Sequence, residues 1–211
     1  MPTFLHVGCG PKRKSQTTPG FNRPEWKELR FDIDETVKPD LVGDMTDMSA
    51  VASGSVDGVF SSHNLEHLYA YQAPIALAEF HRVLSPQGFA VVTCPDLQLV
   101  AQIVAEGRLL EPLYQSTMGP ISAVDILYGH RASLAEGKHY MAHRHGFTLK
   151  TLFDALTEAG FAKVKARRRR THLELWAVAA KSRMPNAELE ALAEAHFPPL
   201  TPPAAAPSRP E

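Results

Sequence analysis

Leu5-His6-Val7-Gly8-Cys9-Gly10 reads as a buried strand that breaks into a glycine turn. A Gly-x-Gly turn lets a ligand approach the backbone where a Cβ would collide with it. In open α/β sheets, ligands bind outside the carboxyl ends of the strands, beside such turns. The stretch therefore predicts an α/β fold with a nucleotide-like ligand near residue 8. It fails as a dinucleotide fingerprint, which needs a third glycine where this chain has Arg13. That pattern also needs a following helix to aim its N-terminus at a pyrophosphate. A ligand without phosphates suits the turn better.

Working outward, residues 11–24 are polar and lack helical periodicity, so a loop is expected where the first crossover helix normally lies. Residues 29–33 alternate like a strand and end in the acids Asp32, Asp34 and Glu35. A short strand over 40–44 follows, and Asp47 is expected to cap a brief helix through 50–52. Residues 56–61 read as a buried strand. A helix is expected from Pro74 with Leu77, Phe80 and Leu84 on its apolar face. A turn at 85–88 leads into the buried strand 89–94, and Asp96 caps the helix that Gly107 ends. Residues 108–146 read as an insertion over the sheet edge. Thr148 caps a further helix, and the segments 163–169 and 173–179, joined by a tight turn, are expected to be antiparallel. A short helix over 184–197 and a Pro/Ala tail over 198–211 close the chain.

Composition bounds the class. The 211 residues suffice for one sizeable core, here taken as a domain over 1–183, and 44% apolar with 21% charged residues is ordinary for a globular protein. A net charge of −1 gives no global reason to expect nucleic acid or a membrane as partner. Cys9 and Cys94 sit in a turn and in an apolar strand, which fits a reducing compartment. With no leader pattern and no membrane-length apolar window, a cytoplasmic location is expected.

Several side chains suggest chemistry. Asp32, at a strand end beside the glycine turn, can accept hydrogen bonds from both ribose hydroxyls, with Asp34 as the alternative carrier. Either acid also reads as an ordinary loop residue. Asp44 can accept from an adenine amino group while Met45 packs on the ring, or it can simply cap a turn. The spacing His139-x3-His143-x-His145 could ligate a metal on a helix, but Gly146 and Thr148 predict a loop, so no metal is expected. Tyr140 and His143 are instead read as parts of a substrate-facing lid. Residues 167–170, all arginine, are read as the charged faces of an edge strand rather than an anion or RNA site.

Taken in order, LHVGCG (5–10), RFDID (30–34), LVGDM (41–45), VDGVFSSHNLEHL (56–68), HRVLSPQGFAVVTCPDL (81–97) and HGFTLKTLFDALTEAGF (145–161) resemble the class I S-adenosylmethionine (SAM)-dependent methyltransferases. They are closest to the small bacterial group whose signature ends in Leu-Glu-His-Leu. The resemblance spans roughly residues 4–180. It implies a doubly wound, Rossmann-like α/β fold with a seven-stranded sheet, the last strand antiparallel and the first crossover helix degenerate.

It further implies SAM as cofactor and a small-molecule methyl acceptor, in a monomer or homodimer. Gly8, Cys9 and Gly10 would take the methionine part, Asp32 or Asp34 the ribose, and Asp44 with Met45 the adenine. Ser62 and His63 would face the sulfonium. His63 is the candidate general base, and His143 is a second catalytic candidate on the lid. Three departures stand out: His6 replaces the acid common before the turn, Pro11 and Lys12 replace small residues, and the N-terminal lid is missing. A silent SAM-binding protein and an RNA or protein methyltransferase are the alternative readings.

Overall fold

The computed structural model describes residues 1–116 and 118–199. Most of the expected Pro/Ala tail, from residue 200 on, lies outside the described residues. Strands β1 (Thr3–Val7), β2 (Lys27–Asp32), β3 (Leu41–Val42), β4 (Val56–Ser62), β5 (Leu84–Pro95), β8 (Lys163–Arg169) and β9 (Glu174–Ala180) form one sheet in the order β3-β2-β1-β4-β5-β9-β8. Strands β1 to β5 are mutually parallel, and β9 runs antiparallel to both β5 and β8. The order reverses between β1 and β4, so the carboxyl ends of these strands flank the crevice where such sheets bind ligands.

Helices α1 (Ala73–Val83), α2 (Leu97–Ala105) and α5 (Leu149–Glu158) form where the sequence places them. Asp96 caps α2 by accepting from the Gln98 and Leu99 amides, and Thr148 caps α5. The expected turn at 85–88 is a bulge inside β5. Residue 56 pairs with 84 and residue 58 with 89, so the strand absorbs the extra residues without stopping.

The helix expected after Asp47 does not form. The Arg82 guanidinium, on α1, instead donates to the carbonyls of Met48 and Val51, and Glu79 accepts from the Met48 amide. Side chains thus satisfy backbone groups that a helix would have paired internally.

Between β1 and β2 the chain forms one 3₁₀ turn (Lys14–Gln16) and no α-helix. The sheet face left open there is closed from the other end of the sequence. Helix α6 (Asn186–His196) lays Leu189 and Ala193 beside Phe4, Phe60, Phe89, Val91 and Val178. Phe21, from the crossover loop, stacks on Phe4 with ring centroids 4.4 Å apart and on Phe89 at 5.6 Å. Gly58 makes room for it, since a Cβ there would lie 2.7 Å from the Phe21 ring. Burying such a ring contributes roughly 1.5–3 kcal/mol. The opposite face is covered by α1 and α5, with Leu77, Phe80, Leu152 and Leu156 fully buried.

The segment expected as an insertion carries a hairpin, β6 (Pro112–Ser116) with β7 (Gly119–Ser122), and the short helices α3 (Ala123–Tyr128) and α4 (Arg131–Ala135). Val100, Ile121, Ala123 and Ile126 give it a small core against α2.

Candidate active site

At the end of β1 the backbone turns through Gly8 (φ +61°) and Gly10 (φ +53°), a region that L side chains avoid. The two glycines serve different needs. A Cβ on Gly8 would lie 2.2 Å from Asn64 Oδ1, whereas one on Gly10 would meet nothing within 4 Å. Asn64 occupies that space to donate to Val7 O at 2.9 Å and Ser61 Oγ at 3.1 Å, locking β1 to β4. Gly10 leaves free space at the crevice. Cys9 is buried, and burial pushes its thiol up to about 11, so at this position the turn offers a ligand backbone alone.

Asp32, at the end of β2, holds the turn in place. Its Oδ2 accepts from the Gly10 amide at 2.7 Å and its Oδ1 from the Asp34 amide at 2.9 Å. Each carboxylate oxygen accommodates a further hydrogen bond, so capacity for hydroxyl donors remains.

Beneath the turn lies Arg30, 2% exposed. Its guanidinium donates to the carbonyls of Gly10, Lys12, Val37 and Lys38. This fork rivets the glycine turn to the loop after β2. Sequence reading overlooked Arg30. No local signal marked it, because Arg30 falls on a polar position of the alternating strand.

His6 does not leave the site without an acid. Glu28, on the neighbouring strand, places Oε1 2.7 Å from His6 Nδ1 and accepts the Lys14 amide on Oε2 at 2.9 Å. Burial lowers the His6 pKa, and Glu28 opposes that shift.

Asp34 accepts from the Thr36 hydroxyl and amide, which hold its carboxyl below the usual range. Its Oδ2 lies 3.5 Å from the Tyr140 hydroxyl, a long contact that brings the insertion over this end of the crevice. Asp44 is exposed, and its Oδ1 accepts from the Thr46 amide and hydroxyl, both at 2.8 Å, in a turn. Met45 is half-buried against the main core.

The other side of the crevice is built on β4. Ser62 Oγ lies 2.9 Å from Thr93 Oγ1 on β5. His63 then takes φ +57°, an uncommon conformation for a side-chain-bearing residue and a recurrent mark of functional sites. Its Nε2 lies 3.1 Å from Glu174 Oε2 and its Nδ1 3.3 Å from Glu66 Oε1. Burial alone would lower its pKa, but the bond it donates to Glu174 and the presence of Glu66 outweigh that and raise it to about 9. That environment favours the imidazolium form of His63. Glu174 also accepts from Trp176 Nε1 at 2.9 Å and Arg169 at 2.7 Å. Against its own burial, His63 first and then these two donors hold its pKa at about 2. Sequence reading also overlooked Glu174, a single acid opening an otherwise apolar strand.

His143 reaches this side from the insertion. Its Nδ1 lies 2.7 Å from Ile126 O, and its ring meets that of His67 edge-on at 4.9 Å. Residues 139–141 form a 3₁₀ turn followed by extended chain, so His139, His143 and His145 do not share a helix face. Beside His143 lies a recess of about 220 Å³ walled by Pro95, Leu97, Val100, Ile126 and Tyr128. A wider depression of about 550 Å³ at Ala162, Lys163 and residues 183–185 lies at the opposite edge of the sheet, away from these groups.

The arginine run is used within the fold. Arg168 pairs with the buried Asp96, Arg169 with Glu174, and Arg167 lies over the Phe197 ring.

Residues 5–92 match the family model described as a methyltransferase domain. Together with the strand order and the antiparallel β9, this match supports a class I SAM-dependent methyltransferase domain. Solved structures agree in fold. A SAM-dependent methyltransferase from Methanosarcina mazei superposes with a TM-score of 0.57 at 15% identity, over 86% of this chain and 93% of that one. The 1,6-didemethyltoxoflavin-N1-methyltransferase of Burkholderia thailandensis, solved with that compound and S-adenosylhomocysteine (SAH), gives 0.53 at 16% identity over 86% and 72%. A SAM-dependent methyltransferase of Archaeoglobus fulgidus gives 0.52 at 13% identity over 85% and 86%. No curated protein sequence matches the chain.

Proposed function

We propose that this chain transfers the methyl group of SAM to a small-molecule acceptor held in the recess beside His143. The observation that carries this reading is the recess itself. It opens at the carboxyl end of β5, and at about 220 Å³ it falls below the roughly 300–1,000 Å³ usual for ligand pockets. Such a volume suits a compact acceptor rather than a nucleic acid or protein surface. Its wall is apolar at Pro95, Leu97, Val100 and Ile126 and polar at His143, Arg144 and His145, which suits an acceptor carrying both kinds of surface.

The residues fit the cofactor. The free space beyond Gly10 admits an amino-acid moiety against the turn, Asp32 retains acceptor capacity for ribose hydroxyls, and Asp44 with Met45 stands at the adenine end. SAM supplies an electrophilic methyl on a sulfonium cation. The chain's contribution is then proximity and alignment, which supply much of the rate of an in-line displacement. Glu174 bonds His63 and offsets its positive charge, so the mouth does not repel that cation. His143 meets the acceptor from the lid side, and His63 anchors the mouth.

Thermal-shift titration tests the cofactor, because a ligand that binds only the folded state raises stability. SAH is expected to stabilise the chain and NAD to leave it unchanged; no response to SAH sinks the reading. Incubation with methyl-labelled SAM and a size-fractionated extract tests the acceptor. Label is expected in the low-molecular-weight fraction, and label confined to RNA or protein overturns the small-molecule assignment.

A further inference from the structure

Glu66 is 1% exposed, and neither of its carboxylate oxygens receives a hydrogen bond. His63 Nδ1 lies 3.3 Å from Oε1 without hydrogen-bond alignment, and Glu174 engages that imidazole from its other side. A buried carboxylate whose one ion-pair contact supplies no aligned hydrogen bond is costly, and native structures seldom leave one so.

The partner groups face it. One carboxylate oxygen of Glu66 and one ring nitrogen each from His67 and His143 fall within 4.8 Å of one another. The Nδ1 of His67 lies 3.2 Å from Ala142 O, and that of His143 lies 2.7 Å from Ile126 O. A carbonyl oxygen only accepts, so Nδ1 carries the proton in both rings and Nε2 keeps a free lone pair. Metal-ligating histidines are oriented in this way, with a carbonyl on one nitrogen and the ion on the other.

The backbone brings the two segments together. The amides of Arg144 and His145 donate to Glu66 O at 2.7 and 3.2 Å, and the Arg144 guanidinium donates to His67 O at 3.3 Å. The three side chains are thus brought together by bonds that need no ion.

We propose that Glu66, His67 and His143 form a binding site for one divalent transition-metal ion of the zinc class. Two neutral imidazoles and one carboxylate are a donor set such ions accept, and they balance half of the ion's charge. Three protein ligands leave a coordination position open, as in catalytic rather than structural zinc sites. His143 also walls the acceptor recess, so a heteroatom of the acceptor, or water, can fill that position. The ion site goes beyond methyl transfer and stands without it. The sequence reading expected no metal: of His139, His143 and His145 only His143 takes part, and residues 66 and 67 supply the rest.

The test uses the full chain stripped with a chelator and titrated with zinc chloride against a chromophoric chelator. One equivalent is expected to bind. Glu66→Gln, His67→Ala and His143→Ala should each weaken binding by roughly 100-fold or more, and His139→Ala should not. Cobalt(II) in place of zinc should give a visible absorption band that His143→Ala abolishes. The wild-type titration needs no substitution, so a variant that fails to fold does not decide the outcome. Absence of saturable binding by the folded wild type overturns the site, as does equal binding by wild type and a folded His143→Ala variant.

Discussion

Thr18 Oγ lies 2.7 Å from Nδ1 of His196, although 178 residues separate them. This bond joins the loop that stands in for the first crossover helix to the last turn of α6. The Thr18 hydroxyl, which also accepts from the Phe21 amide, has its proton free for a neutral imidazole. Burial lowers the His196 pKa to about 4. The unfolded chain, with an ordinary histidine near 6.5, binds that proton more readily than the folded one. Stability from this group is therefore present above about 6.5 and is lost as pH falls toward about 4, by up to about 3 kcal/mol. Urea denaturation at pH 7 and pH 5 is expected to show the loss. A His196→Gln variant should show a shallower pH dependence between those two values, and an unchanged dependence would rule out His196 as its source.

Phe21 is expected to be the most costly residue of the crossover loop to truncate. It is fully buried and stacks on both Phe4 and Phe89. Phe21→Ala should destabilise the chain by about 3–5 kcal/mol in urea denaturation. Gly58→Ala should also destabilise, because its Cβ would meet the same ring at 2.7 Å. Combined with Phe21→Ala, it should cost less than it does alone, since the clash has gone. Additive costs in that double-mutant cycle would refute the packing argument.

The parallel strands were legible because buried strands and a glycine turn leave local marks: apolar runs, and Gly8 and Gly10 where φ is positive. Asp32 was legible for the same reason, as an acid ending an alternating strand. What escaped depends on distant parts of the chain. The helix expected after Asp47 gives way to Arg82 and Glu79, more than thirty residues on. The acid missing at position 6 comes from Glu28 across a strand pair, and the cover missing from one sheet face comes from α6. The histidine spacing in the insertion was read as a loop with no metal, and nothing in that spacing indicated that His143 meets residues 66–67. Spacing along the chain does not report such pairings.

Asp32→Asn is expected to weaken SAH binding by about tenfold or more. The Gly10 amide donates to one carboxylate oxygen and the Asp34 amide to the other. An asparagine can present an acceptor to only one of them, and its NH₂ would face the other donor. The loss of a charge-assisted bond, about 1.5–3 kcal/mol, falls on the turn that shapes the cofactor crevice. Calorimetric titration with SAH checks it, and unchanged affinity would remove Asp32 from the site.

Tyr140→Phe should leave the fold intact and affect only closure of the insertion. The tyrosine is about half exposed, and its hydroxyl touches Asp34 Oδ2 at 3.5 Å across the crevice. Its removal deletes one long hydrogen bond to a charged group, and in an exposed setting such a contact contributes no more than about 1 kcal/mol. A change of that size corresponds to at most about a fivefold effect on affinity. If the contact closes the lid over bound cofactor, stopped-flow measurement should show that effect as faster SAH release, with association little changed. A slower association with unchanged release would mean that the tyrosine guides entry instead, and no change in either rate would show that the insertion does not gate this end of the crevice.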